Sequence, residues 1–352
     1  MSPRGGTSML NTRVVLNARP RGVPVLTDFL VEQAEMPEPA EGEVLLRSIY
    51  LSLDPYIRGR IGGGVLGRAR PKVPLGGVVE GGTVAEVVRS RHPAYQTGDI
   101  VLGAIGWQQY GVQAGATLSK IDPAGAPLSA YLGVLGMPGF TAYVGLNVIG
   151  RPQPGETVAV AAASGPVGSM VGQLARIAGA RVVGIAGGAA KREWLQRAGF
   201  DAAIDHRSDH FADELAEATP HGIDVYFENV GGAVFNEVLP RLNPHARVPV
   251  CGLAAHYNEE PMHESAGSVA LLPAILSKFL RVQGFAYLDY VDTHADEFRT
   301  RATEWLADGR IHYLEDVEVG IENAPRAFAR LMSGRNFGKS LVRVTRDPTA
   351  AQ

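Results

Sequence analysis

The sequence predicts an α/β protein in which a doubly wound parallel sheet is joined to a smaller, β-rich domain. Two observations predict this fold: short strand-like segments fill residues 14 to about 120, and strands alternate with helices after residue 137. Alternation of this kind is typical of a parallel sheet with right-handed crossovers. The length of 352 residues is too great for one ordinary core and also indicates two domains.

The predicted strands of the first domain are short runs of β-branched and aliphatic residues. They occupy residues 44–50, 83–88 and 99–102. Turn residues separate them at a spacing of about eight to twelve positions, which predicts a small barrel or sandwich. A last strand is predicted at 338–344, after a helix near 324–331. It is a lone terminal strand, so it should pair with a sheet that is already formed. We therefore assign this strand to the first domain.

The second domain is predicted from a repeated strand–helix rhythm. Its strands are expected at 158–161, 182–185, 202–204, 224–227 and 247–250. Its helices are expected at 168–178, around 194–198, from about 209, from about 233, and near 268–278 and 293–308. We predict that residues 138–312 form this domain, and that residues 1–137 and 313–352 form the β-rich one.

Charge and hydropathy exclude several functional classes. Lys and Arg number 33 against 36 Asp and Glu, and no basic run forms a stripe, so we expect no nucleic-acid partner. Residues 1–10 lack the apolar core of a secretory signal, and Gln173, Arg176 and Arg181 interrupt the longest lightly charged stretch, 157–190. We therefore expect no membrane partner and a soluble, cytoplasmic protein.

A metal site is not predicted. The single cysteine, Cys251, cannot form an intramolecular disulfide or supply the cysteine pair that catalytic zinc commonly takes with a histidine. His206 and His210 straddle a helix start near Ser208, and no carboxylate completes a ligand set. The sequence also lacks the G-x-S-x-G elbow of many serine hydrolases.

The motif that indicates chemistry is AASGPVG at residues 162–168, between a predicted strand and a predicted helix. In a dinucleotide fingerprint, Gly165 would let the backbone approach a pyrophosphate and Gly168 would let the helix pack closely on the sheet. The amino terminus of the helix that follows would offer free N–H groups to the phosphates. Ala163 replaces the usual first glycine. The alternative is a simple glycine-bearing turn.

The end of the second strand indicates which dinucleotide binds. An NAD site places Asp or Glu there for the ribose 2′-hydroxyl. Here residues 186–192 read AGGAAKR, and no carboxylate occurs before Glu193. Lys191 and Arg192 can meet a 2′-phosphate, so the sequence predicts NADPH. The alternative is a solvated basic helix start.

Loops after the later strands are expected to line the nicotinamide half of the site. The fourth strand ends in residues 228–232, and the fifth is followed by residues 251–258. Asn229 and Tyr257 therefore stand where the carboxamide, the ribose and a substrate would lie. We interpret Cys251 as a small residue at a strand end.

Taken together, several strings resemble the zinc-independent medium-chain dehydrogenase/reductase family. The match runs from about Asn17 to Val344 and is strongest with the leukotriene B4 dehydrogenase/prostaglandin reductase branch. The strings are LSLDPYIRGR at 51–60, GMPGFTAY at 136–143, YFENVGG at 226–232, CG at 251–252 with YN at 257–258, and NFGK at 336–339. The residues at 164–168 and 205–206 are most similar to those of bacterial NADPH-dependent curcumin reductases.

The resemblance implies a GroES-like (chaperonin-10-like) domain completed by the carboxyl-terminal strand, a Rossmann domain, a site in the cleft between them, and a homodimer. It also implies NADPH-dependent reduction of a C=C bond conjugated to a carbonyl, in enones and enals. The alternatives are a quinone reductase on the same scaffold and a non-catalytic NADPH-binding protein. Loops 60–75 and 258–270 are expected to shape the substrate pocket.

The resemblance also assigns roles residue by residue. Tyr257 and Tyr56 would face the substrate, with Tyr257 as the donor to the developing enolate. Either tyrosine could instead have a packing role, Tyr257 against the cofactor and Tyr56 in a turn. The cofactor would be held by Gly165, Pro166, Val167 and Gly168 at the pyrophosphate, by Lys191 at the 2′-phosphate, by His206 near the adenosine phosphate, and by Asn229, Cys251, Gly252, Tyr257, Phe285, Ala286, Tyr287 and Asn336 elsewhere. His206 replaces a tyrosine of the mammalian and plant members.

Overall fold

A computed structural model describes residues 10–62, 71–258 and 267–349. Most of the two predicted pocket loops, 60–75 and 258–270, lies outside these ranges. The first part of the chain consists mainly of strands. They are β1 (Leu10–Leu16), β2 (Phe29–Glu35), β3 (Glu43–Ser52), β4 (Thr83–Ser90), β5 (Ile100–Gly103), β6 (Tyr110–Ala114) and β7 (Ser119–Lys120), with one short helix, α1 (Ile57–Ile61).

The middle of the chain alternates strands with helices. It begins with α2 (Met137–Tyr143), which continues into a π-helix, Val144–Gly150. The strands are β8 (Thr157–Ala161), β9 (Arg181–Ile185), β10 (Ala202–Ile204), β11 (Ile223–Phe227), β12 (Leu242–Val250) and β13 (Arg281–Gly284). The helices are α3 (Pro166–Ile177), α4 (Ala189–Arg197), α5 (Phe211–Ala218), α6 (Gly232–Val238), α7 (Gly267–Lys278) and α8 (Val291–Ala307).

The last part adds β14 (Glu315–Val319), α9 (Ala324–Met332) and β15 (Lys339–Arg343). These strands join the sheet of the first part, whose order is β14-β15-β3-β4-β5-β7, with β6 also paired to β3. In this sheet β15 runs antiparallel to β3, with Leu341 opposite Ser52. The assignment of the last strand to the β-rich part is therefore confirmed.

The middle strands form a six-stranded parallel sheet in the order β10-β9-β8-β11-β12-β13. Strand order reverses beside β8, where the chain crosses from one side of the sheet to the other, which confirms the predicted doubly wound topology. The prediction missed β13 and began β12 at residue 247 rather than Leu242. Because all six strands are parallel, their carboxyl ends share one edge, where a ligand site is expected.

Two apolar cores cover the faces of the parallel sheet. One packs α3 and α8 against it through side chains such as Met170, Phe298 and Trp305. The other contains side chains from α5 and α6, including Leu215 and Val238. A third core lies in the β-rich part, where Trp107 stacks on Phe29 at 5.3 Å between ring centres. Among the residues described, no helix has the length and hydropathy needed to cross a membrane.

Candidate functional site

The predicted fingerprint forms the tight turn between β8 and α3. Its backbone turns sharply at Ala162, which has a φ of 51°, and α3 begins at Pro166. A Cβ on Gly168 would lie 2.5 Å from the Ala162 carbonyl oxygen and 2.7 Å from the Cα of Ala163. Only glycine therefore lets the helix begin this close to the strand.

The same turn leaves room on its outer side. A Cβ on Gly165 would meet one atom within 4 Å, the Ala162 oxygen at 3.3 Å. Pro166 stands in the first turn, where its missing N–H would have no helical partner in any case. The N–H groups of Val167 and Gly168 belong to that turn, so the geometry fits a pyrophosphate at the helix start.

The loops after β9 and β10 bring basic side chains together over Gly187. A Cβ on Gly187 would lie 2.7 Å from Arg207 Nε and 2.8 Å from His206 Cε1. The Asp205 carboxylate fixes both loops, because it accepts hydrogen bonds from the Gly188 N–H at 2.8 Å and from the Arg207 N–H at 3.0 Å. Lys191, in the first turn of α4, is close enough to act electrostatically on His206.

In this basic cluster, defined as Lys191, His206 and Arg207, the Arg207 charge repels the charged forms of the other two side chains. Burial lowers the pKa of Lys191, and the Arg207 charge lowers it further. Burial and Arg207 likewise lower the pKa of His206. Beside the cluster, the buried Nε of Arg192 has no hydrogen-bond partner. A phosphate group would relieve this repulsion, so the residues present fit a 2′-phosphorylated dinucleotide.

Arg207 was not among the predicted site residues. The sequence did contain a signal for it. Arg207 directly follows His206, just after β10, which is the neighbour of β9 in the sheet. Since β9 and β10 end side by side in the sheet, the residue after His206 also reaches the loop that follows β9.

The segment 333–338, between α9 and β15, contacts the basic cluster. Lys191 Nζ donates to the Gly334 carbonyl oxygen at 2.9 Å. Asn258 Nδ2 donates to the carbonyl oxygen of Met332, just before the segment, at 3.1 Å. Asn336 Nδ2 donates to the Gly338 carbonyl oxygen at 2.9 Å. The structure thus brings the predicted residue Asn336 close to the loops after the parallel strands.

The predicted nicotinamide residues converge where β11 and β12 end. Asn229 Nδ2 donates to the Ala161 carbonyl oxygen at 3.0 Å, which ties this turn to the end of β8. The hydroxyl oxygen of Tyr257 accepts the Leu253 N–H at 3.2 Å and lies 2.5 Å from where a Cβ on Gly252 would be. A residue larger than glycine at 252 would displace the phenol.

Burial governs the ionisation of this loop. It raises the pKa of Tyr257 to about 12 and that of the Cys251 thiol to about 12. The phenol is therefore protonated at neutral pH and can donate a hydrogen bond, while the thiol is a poor nucleophile. This agrees with the interpretation of Cys251 as a small neutral residue.

Glu228, next to Asn229, was also not predicted as a site residue. Its Oε1 accepts the N–H groups of Val230 and Gly231 at 2.6 and 2.8 Å, and its main-chain oxygen accepts the Cys251 N–H at 2.9 Å. The buried Oε2 has no hydrogen-bond partner, and burial raises the carboxyl pKa to about 7. The sequence signal for Glu228 was its position within the string YFENVGG at 226–232.

An aromatic wall follows β13. Phe285 donates its N–H to the Val250 carbonyl oxygen at 3.4 Å and packs edge-on against Phe227, with 6.2 Å between ring centres. Tyr287 packs edge-on against Phe140, also at 6.2 Å. Ala286, between them, is partly exposed. The three predicted residues 285–287 thus continue the edge formed by the loops after β11 and β12.

The predicted residue Tyr56 lies in the β-rich part of the chain. It precedes α1 in the β-rich part and is 38% exposed. The neighbouring Arg60 has a pKa raised mainly by its hydrogen bond to Glu80, with a smaller contribution from Tyr56. The structure therefore places Tyr56 close to the Arg60–Glu80 pair. Within residues 10–62, 71–258 and 267–349, no group of three or more His, Cys, Asp or Glu side chains could hold a metal ion.

Two family models match the chain. One, described as the N-terminal domain of oxidoreductase, matches residues 12–121, and the other, described as zinc-binding dehydrogenase, matches residues 166–308. The second description belongs to the family as a whole, and this chain has one cysteine.

Individual relatives match over nearly the whole chain. The chain is 49% identical to an NADPH-dependent curcumin reductase of Escherichia coli (strain K12), covering 97% of this chain and 99% of the relative. It is 38% identical to a 2-alkenal reductase (NADP(+)-dependent) of Nicotiana tabacum, covering 96% and 98%. Among solved structures, CurA from Vibrio vulnificus in complex with NADPH superposes with a TM-score of 0.91 at 45% identity, covering 96% and 100%.

Proposed function

The chain belongs to the medium-chain dehydrogenase/reductase family, and from this premise we propose that it uses NADPH to reduce the C=C bond of α,β-unsaturated aldehydes and ketones. The observation that carries the proposal is the basic cluster of Lys191, His206 and Arg207 at the ends of β9 and β10. Its Lys191 and Arg207 side chains suit the 2′-phosphate that distinguishes NADPH from NADH. The named activities of the curcumin and 2-alkenal reductases support the substrate class.

When bound, the nicotinamide supplies a hydride to the β-carbon of the conjugated carbonyl compound. The residues of this chain then have two tasks. The turn at 165–168, the basic cluster, Asn229 and residues 285–287 hold and orient the cofactor. Tyr257 donates a hydrogen bond to the carbonyl oxygen as negative charge develops there, and a water protonates the α-carbon.

Two properties of Tyr257 support this role. Its pKa of about 12 keeps the phenol protonated at neutral pH. Its oxygen accepts the Leu253 N–H, which leaves the phenolic proton available for a substrate oxygen. Tyr56 is proposed to contact the substrate from the β-rich side.

We also propose a homodimer formed through the open edge of the parallel sheet. β13 is the last strand at that edge and pairs only with β12 in the described sheet. Near it, Leu272, Leu276 and Phe279 are 72%, 78% and 63% exposed. A strand with one open edge, beside exposed apolar side chains, is suited to self-pairing about a two-fold axis. A cytoplasmic location and the lack of a nucleic-acid partner stay predictions from the sequence.

The first test is NADPH oxidation at 340 nm with an alkenal, an aryl enone, curcumin and a quinone, and with NADH in parallel. The proposal expects NADPH consumption with the enones and a saturated ketone or aldehyde as product. Turnover of the quinone alone would instead identify a quinone reductase. NADPH binding without consumption of any of the four would identify a non-catalytic binding protein.

A further inference from the structure

A buried ion pair joins the end of β3 to the start of β15. The side chains of Asp54 and Lys339 are 6% and 3% exposed, and Lys339 Nζ lies 2.7 Å from Asp54 Oδ1. The same ammonium donates to the Leu53 carbonyl oxygen at 2.8 Å. The Ser52 hydroxyl donates to the other carboxylate oxygen, Oδ2. Both the Lys339 ammonium and the Asp54 carboxylate therefore have hydrogen-bond partners within the protein.

The pair stands where three parts of the proposed site meet. Asp54 is two residues before Tyr56, and Lys339 is three residues after Asn336. Lys339 also lines a small cavity with Pro166 and Ser169, in the first turns of α3. The ion pair thus connects the turn that carries Tyr56 with the end of the segment 333–338, beside the cavity that the first turns of α3 also line.

Stability alone is a weak reason for such a pair. Removing two charges from water costs several kcal/mol for each ion, and apolar side chains of similar volume are often as stabilising or more so. The strands are already joined by backbone contacts, since the Leu53 N–H donates to the Ser340 oxygen at 3.1 Å and Leu341 pairs with Ser52. The side chains of the pair add a further constraint: they fix the backbone at Asp54 relative to the backbone at Lys339.

We propose that Asp54 and Lys339 are a positioning pair, which holds the Tyr56 turn in register with the segment 333–338 so that substrate and cofactor meet at reacting distance. The proposal rests on the proposed function for its kinetic consequence. It does not require either side chain to touch the substrate or the cofactor.

The test is a double variant, Asp54→Leu with Lys339→Met, which replaces the pair by apolar side chains. We expect a melting temperature within about 3 °C of the wild type, because the replacement avoids leaving a lone buried charge. We expect kcat for an alkenal at saturating NADPH to fall about ten- to hundredfold, as small misplacements of reacting groups do. Amide hydrogen exchange is expected to rise in residues 54–61 and 333–338.

A second ion pair provides the matched control. Arg247 and Glu156 are 16% and 24% exposed, with 2.5 Å between Arg247 Nη2 and Glu156 Oε2, and lie outside the proposed site. Glu156→Gln with Arg247→Met is expected to lower the melting temperature while kcat stays at the wild-type value. Comparison of the two double variants separates an effect of lower stability from an effect of misplaced site residues.

Each outcome decides the proposal. Wild-type kcat and exchange in the Asp54/Lys339 double variant would overturn it. If that variant does not fold, Ser52→Ala removes only the hydrogen bond to Asp54 Oδ2, and unchanged kcat and exchange there would overturn it too. If the wild type itself reduces no enone, the proposed function fails, while the exchange comparison still tests the pair.

Discussion

The position of the Tyr257 hydroxyl depends on the loop that carries this residue. The phenol folds back over Gly252 and accepts the Leu253 N–H, so the loop that carries it also positions its hydroxyl. Because the pKa of Tyr257 is about 12, the group is a hydrogen-bond donor over the whole neutral range. This property suits the proposed role, donation to an oxygen that gains negative charge, as an enolate oxygen does.

We expect Tyr257→Phe to lower kcat for an enone by about 10²–10⁴-fold, the usual contribution of a positioned acid. The measurement is steady-state NADPH oxidation at saturating cofactor. Tyr95→Phe is the control, since the Tyr95 hydroxyl donates to the Leu118 oxygen at 2.7 Å in the β-rich part. A loss below about threefold for Tyr257→Phe would reduce this residue to a positioning role.

Glu228 makes stability depend on pH. Burial raises its pKa from 4.5 to about 7, so between these values the folded chain binds more protons than the unfolded chain. The free energy of unfolding therefore falls as pH rises through this interval, by at most about 3 kcal/mol. We expect Glu228→Gln, which cannot ionise, to lack this decrease. Urea unfolding from pH 5 to 8 measures it, and parallel curves for variant and wild type would contradict the assignment.

Residues such as Glu228 and Arg207 show the limit of sequence reasoning at this scale. Both stand beside predicted residues, Asn229 and His206, in the sequence. The sequence does not show that the Glu228 carboxylate turns inward to accept two N–H groups. Nor does it show that Arg207 lies over Gly187, because that contact joins two loops about 20 positions apart.

At the scale of elements, the loops after β9 and β10 act together. Each carries part of the basic cluster, and the Asp205 carboxylate joins the two backbones. In the proposed function, the choice of cofactor therefore depends on two neighbouring strand ends. A phosphate-recognising site of this kind is expected to weaken in steps as its charges are removed one by one.

We expect Arg207→Ala and Lys191→Ala each to raise the Kd for NADPH about ten- to hundredfold, the value of a charged hydrogen bond. The Kd for NADH is expected to change little in Arg207→Ala. Fluorescence titration with both cofactors measures this, with Arg299→Ala on the exposed face of α8 as control. Equal losses for NADPH and NADH would remove the 2′-phosphate assignment.

The elements that the sequence predicted are those with strong apolar patterns. β8 and β11 are almost wholly buried and were found within one residue of their ends. β14, with the sequence EDVEV, was missed because three of its five residues are acidic and it lies at a sheet edge. β2, with the sequence FLVEQAE, was missed for a similar reason, since three of its seven residues are polar and only Phe29 is buried.

At the scale of the whole molecule, the open edge at β13 predicts self-association. We expect Leu276→Asp to convert a dimer into a monomer, because it would bury a carboxylate in the apolar contact. Light scattering after gel filtration gives the mass. Leu75→Asp is the matched control, a leucine that is 58% exposed in the β-rich part. A dimer that survives Leu276→Asp would require another interface.

The arrangement of the candidate site could be predicted from the sequence only in outline. The parallel sheet, the fingerprint and the strand-end loops follow from local patterns. The approach of the segment 333–338 to Lys191 does not, since the Lys191–Gly334 bond spans 143 residues and depends on how the two parts pack. Tyr56 and Asn336 were identified through the family resemblance alone.

The pairing of β15 with β3 also determines the order in which the chain can fold during synthesis. Leu53 and Lys339 are 286 residues apart, and β15 lies between β14 and β3 rather than at an edge. All strands of the parallel sheet leave the ribosome before β15, so that sheet can form first. The β-rich sheet cannot be completed until β15 has been synthesised, because β15 pairs with β3. During translation, chaperones would therefore encounter the beginning of this protein, not its middle, as the part still lacking a strand.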